Sequence, residues 1–252
     1  MQHLTVDPTR VFFLTFFVLL LCAWAGTLLE RRFALRGRES QQDLGVVLGA
    51  TLTLLGLIIG FSFAMAINRY DMRKNYEEAE SNAIGTEYLR VELLPEAEVT
   101  RIKTLLREYV RQRILFYETR DPQQLQEIDS RTASLQTQLW DAVRIHAALS
   151  PTPIVALVLS GMNDVINSQG YTQAAWWNRI PLQAWVLMGL IAVLCNLMLG
   201  YLTGKLKSRT VLVVLPLVLA IAFSLVADID TPRRGFIHIV PQNLVALEAT
   251  LR

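Results

Sequence analysis

The chain has 252 residues, 52% of them hydrophobic and 18% charged, with a formal net charge of +2. Soluble domains carry about a quarter charged residues, so this composition points away from an ordinary soluble domain, and a near-neutral balance without a basic stripe leaves no footprint for nucleic acid. Two cysteines, Cys22 and Cys195, and three scattered histidines, His3, His146 and His238, supply neither a disulfide framework nor a zinc ligand set.

The apolar excess is concentrated in four runs. The first, Val11 to Leu29, carries no charge, and its strongest positive cluster, Arg31 and Arg32, follows the run instead of preceding it. That order predicts a retained spanning helix and not a cleaved signal peptide. The second run, Leu44 to Ile67, reaches about 36 Å at ~1.5 Å per residue, enough to cross a hydrocarbon core of about 30 Å. Between it and the third run the sequence turns rich in Glu, Arg and Gln, with apolar residues at helical spacing. Leu105, Leu106, Tyr109, Val110, Arg113, Ile114 and Tyr117 form one stripe, and Leu125, Ile128, Leu135, Leu139, Val143 and Ile145 a second. Asp121 and Pro122 suit the start of the second helix, as cap and first-turn proline. Leu94-Pro95 and Ser150 to Pro153 break the pattern into three or four helices.

The third run is Ile180 to Thr203 and the fourth Thr210 to Ala227, separated by a short hairpin at 204–209. Pro216, inside the fourth, is expected to kink it. With no β-type alternation, the fold class is all-α. Residues 1–67 form a first transmembrane helix pair, 68–179 an extramembrane helical domain, 180–228 a second pair and 229–252 a C-terminal tail. An even number of spans places both termini on the same side as the large domain. The positive-inside tally is even: Arg31, Arg32, Arg36, Arg38, Lys205, Lys207 and Arg209 stand against Arg10, Arg69, Arg73, Lys74, Arg179, Arg233 and Arg234. The compact short loops alone lean toward the cytoplasm.

Three groups of residues are candidates for function. In the second span Gly45, Gly49, Gly56 and Gly60 fall within about 60° of one another, a small-residue face that suits close helix packing. Thr51, Leu54, Ile58, Phe61, Met65 and Arg69 occupy the opposite face, which runs from hydroxyl through bulky apolar to cationic. Such a face can line a pore, with an apolar neck and a ring of Arg69 at its mouth. The alternative is that it meets lipid, with Arg69 snorkelling. The third group, Asp228, Asp230, Arg233 and Arg234, crowds the end of the fourth span and reads as a mutually neutralising charge cluster. Asn196 and Gln183, polar and deep in the third span, are expected to make interhelical hydrogen bonds. Past the second span, Arg73 and Glu77 have the spacing of an i, i+4 pair, and Asn82, Gly85 and Thr86 suit close packing.

Three stretches carry a resemblance: Gly56 to Asp71 (GLIIGFSFAMAINRYD), Glu80 to Arg90 (ESNAIGTEYLR) and Asp228 to Gly235 (DIDTPRRG). In this order they resemble the bestrophin-like family of four-span membrane proteins, whose name reflects a distant similarity to bestrophins. Those are pentameric anion channels whose second span lines a hydrophobic neck. The resemblance implies a homo-oligomer in membrane lipid, a pentamer, with the helical domain in the cytoplasm and small anions such as chloride passing along the second span. No acidic run like the calcium clasp of animal bestrophins is present, so calcium gating is not implied. The other candidates are a subunit of proton-driven stator or energiser type and a non-conducting structural protein. For an enzyme the sequence offers no nucleophile with a base, no phosphate loop and no metal ligand set.

Overall fold

In hydrocarbon every backbone N–H and C=O has to be satisfied within its own segment, which makes a helix the only solution for an isolated apolar run. The computed structural model, which describes residues 7–32, 38–204 and 210–251 with the side chains of 38–40 excepted, shows all four runs in helices. In chain order these are α1 (Pro8–Arg32), α2 (Arg38–Arg90), a 3-10 turn (Val91–Leu93), α3 (Glu96–Glu118), α4 (Pro122–Leu149), α5 (Pro153–Trp177), α6 (Leu182–Thr203), α7 (Val211–Asp230) and α8 (Gln242–Thr250). Among the described residues there is no strand, and the fold is all-α. Four helical stretches are long and apolar enough to cross a membrane. The hairpin at 204–209, apart from Gly204, lies outside the described residues, as do His3, Arg36, Lys205, Lys207, Arg209 and the side chain of Arg38.

The chain forms two compact units. One comprises the described residues of Met1–Asn68 and Arg179–Ile237. Its core joins Leu19 of α1, Leu48 and Leu55 of α2, Met188, Ile191 and Cys195 of α6, and Leu219 and Phe223 of α7. Helices α1 and α6 approach closely at two glycines. A methyl on Gly26 would overlap the Leu197 carbonyl oxygen and lie 2.9 Å from Tyr201 N, and one on Gly200 would overlap the Ala23 carbonyl oxygen. Asn196 is fully buried here, and its Nδ2 donates to the Ala192 carbonyl of its own helix at 2.8 Å. The interhelical bond expected of it is replaced by one turn of back-bonding along α6. Gln183 is exposed.

The second unit comprises Arg69–Asn178 and the described residues of His238–Arg252. Around a core of Ile84, Ile102, Leu106, Tyr109, Leu135, Leu139, Val158, Met162 and Leu244 it packs the C-terminal half of α2 with α3, α4, α5 and α8. The α3 stripe is buried as its spacing implies, with Leu105 half-exposed. In α4, Ile145 is 51% exposed, because it lies about 80° from Leu135 and about 120° from Leu139 on the helical wheel. Asp121 caps α4, its side chain accepting from Gln123 N at 3.1 Å, with Pro122 in the first turn.

Candidate pore-lining helix and its polar anchors

Helix α2 runs for 53 residues and buries a single seam. Within the first unit the buried positions are Leu48, Leu55, Ser62 and Ala66, and within the second Arg73, Glu77, Glu80, Ser81, Ile84, Glu87 and Tyr88. At 100° per residue all eleven fall within about 120°. Of the four apolar windows α2 has the least covered, 11% buried against 44% in α7. The arc opposite the seam holds Thr53, Leu57, Gly60 and Ala64, then Asn68, Asp71, Asn75 and Glu78, all of them exposed.

The two faces singled out by the sequence flank that arc. A Cβ added at Gly45, Gly49, Gly56 or Gly60 meets nothing within 4 Å, so among the described residues these glycines pack against no other helix. On the other flank Leu54, Phe61 and Met65 are exposed, while Thr51, Ile58 and Arg69 are half-buried at the edge of the seam. The Thr51 hydroxyl donates back to the Val47 carbonyl at 2.6 Å. Arg69 turns toward the end of α5, where its Nε donates to Asn178 Oδ1 at 3.4 Å and its buried Nη1 has no partner.

Below the apolar stretch the seam becomes charged, and three of its four charges, Arg73, Glu77 and Glu80, answer a helix end or an opposite charge. Arg73, with no exposed surface, donates to the carbonyls of Ala175 at 3.2 Å and Asn178 at 3.0 Å. A cation there complements the negative C-terminal end of α5. Glu77 does the reverse for α8, whose own N-cap, Pro241, offers no side-chain acceptor. It accepts from Leu244 N at 2.9 Å and from Asn243 Nδ2 at 2.6 Å. Glu80 and Arg113 form an ion pair with neither side chain exposed, and Glu80 also accepts from Thr172 at 3.1 Å and Tyr117 at 3.4 Å. Burial first, and the Glu80 carboxylate after it, push the Tyr109 and Tyr117 phenols up, and Glu80 favours the Arg113 cation against burial. Arg73 and Glu77 thus serve other helices, and the partner of Arg113 lies 33 residues away, beyond the reach of local periodicity. Gly85 faces α8, where a methyl would lie 3.1 Å from Leu247 Cδ1.

Both acids at the end of α7 are buried acceptors for backbone N–H groups. Asp228 receives Phe236 N at 2.7 Å and Ile237 N at 3.1 Å, and Gly235 leaves no room for a side chain against its Oδ1. Asp230 takes Ile180 N on both oxygens at 3.2 Å, just before α6, and faces Arg179. Arg233 is half-buried and Arg234 exposed. Among the described residues no group of three or more His, Cys, Asp or Glu is placed to hold a metal ion.

Four apolar helices, one of them extended far beyond a bilayer's thickness into a helical unit, define an integral membrane protein of the four-span all-α class. The bestrophin-like domain model matches residues 17–244, and the chain belongs to that family. Among solved structures it is similar to crystal structures of a bacterial bestrophin homologue from Klebsiella pneumoniae. One such structure matches with a TM-score of 0.66 at 14% identity over 96% of both chains. Two single-substitution variants match at 0.66 and 14% over 97% of both chains, and at 0.67 and 13% over 95% of this chain and 97% of that one. None of the curated proteins matches in sequence.

Proposed function

We propose that the chain forms a ring of identical subunits, five by analogy with bestrophins, and conducts ions along α2. The carrying observation is the single buried seam. A helix of 53 residues that packs on one side only leaves the opposite side for an axis. In such a ring Thr53, Leu57, Gly60 and Ala64 line the neck, with Phe61 and Leu54 on one flank. The open Gly45, Gly49 and Gly56 on the other flank, with Gly60 at its border with the neck, suit close approach of the neighbouring α2. The helical domain and both termini then share one side, the cytoplasm by the same analogy.

The expectation of chloride passage came from the resemblance to bestrophins, and a ring of Arg69 at the mouth would have suited it. With Arg69 drawn to Asn178 and Arg73 buried against α5, the charges on the open side just beyond the neck are Asp71 and Glu78 with Lys74 toward the glycine flank. Rings of acid at a mouth concentrate cations, so the reading best supported is a channel preferring small cations. The test is a current across a bilayer from the purified protein alone. A conducting oligomer is the expected result. A silent monomer would overturn the reading, and current only with a partner protein would favour a stator-type subunit.

A further inference from the structure

Glu87 is the one α2 carboxylate in the seam whose role the packing above does not explain. It has no exposed surface, and neither of its oxygens has a hydrogen-bond partner. It lies directly against α5 at Gly161, where a methyl would overlap Oε2 and come within 2.5 Å of Arg90 Nη1. The charged groups facing it are Arg90 on its own helix and Asp164 on α5. Glu80 and Glu77, about two and three turns earlier, are compensated by an arginine and by N–H groups respectively.

An ionised carboxylate with no donor, shut against a helix backbone, is an expensive state, whereas the neutral acid is not. We propose that Glu87 is a proton-binding site that latches α2 to α5: with the proton bound the contact closes over Gly161, and with the proton lost the carboxylate draws away toward water. Nothing here depends on the chain being a channel. Burial raises the acid from its usual 4.5 to about 8, with Asp164 adding to the rise and Arg90 opposing it. A group bound more tightly to its proton in the folded state contributes stability that is complete below pH 4.5 and lost as pH rises toward 8.

The test uses the full chain in detergent or lipid. Infrared difference spectra should show a protonated carboxyl at pH 7 that wild type loses as pH passes through about 8, and that Glu87→Gln lacks at every pH. The melting temperature of wild type should fall relative to that of Glu87→Gln between pH 5 and 8, then run parallel to it. Gly161→Ala, which crowds the carboxyl, should lower the melting temperature most at acidic pH, where the latch is closed. If Glu87→Gln does not fold, the wild-type infrared titration decides alone. A wild-type spectrum with no neutral carboxyl above pH 6, or identical pH profiles for wild type and Glu87→Gln, would overturn the proposal.

Discussion

Glu80 and Arg113 sit with no exposed side-chain surface in the helical unit, where a charge that loses its partner has no water to replace it. Arg113→Met alone should destabilise the protein by about 3–5 kcal/mol, because it leaves Glu80 buried without its ion-pair partner. Arg113→Met combined with Glu80→Gln should cost clearly less, since the amide remains an acceptor for Thr172. Thermal unfolding of the three variants measures this, and a double variant as unstable as the sum of the singles would show the two residues uncoupled. Arg113 stands within the apolar stripe of α3, so its burial is legible in the sequence. Its partner is not, because 33 residues separate them and only tertiary packing closes that distance. The same holds for Arg73 and Glu77. Their spacing suggests a local pair, yet each satisfies a different helix terminus, since two buried helix ends need an opposite charge more than the two residues need each other.

At the scale of elements, the four spans, the α4 cap and the helix breaks follow from apolar runs, proline and capping chemistry, all of which act over a few residues. Two features escaped that reading. Helix α8 is short and takes its N-terminal acceptor from α2, so nothing in its own nine residues announces it. The tight crossing of α1 and α6 uses one glycine from each helix, Gly26 and Gly200, and single glycines make no repeating pattern. The conspicuous repeat is in α2, where the glycines meet nothing among the described residues. The contrast gives a prediction. Gly200→Ala should destabilise the protomer by about 1–3 kcal/mol or more through backbone overlap, while Gly49→Ala should leave protomer stability within about 0.5 kcal/mol. Melting temperatures of the two variants distinguish them, and equal losses would contradict the packing described.

For the molecule as a whole, the unpartnered side of α2 is the feature that asks for further copies. Gly56→Leu and Gly60→Leu should shift the purified protein from the oligomer to smaller species in light scattering. Unchanged mass in both variants would place the glycines against lipid. The sequence exposes which residues lie on that helix but not how it is turned, because an apolar span about a central axis and one in lipid share the same composition. Only the buried seam orients it, and that turn separates Arg69 from Asp71. The most direct test is the reversal potential of the purified protein in a planar bilayer under a salt gradient, for wild type and for Asp71→Asn with Glu78→Gln. A reversal near the cation equilibrium potential in wild type, moving toward zero in the double variant, is the predicted result. A wild-type reversal at the anion equilibrium potential, or one that the double variant leaves unmoved, would contradict it.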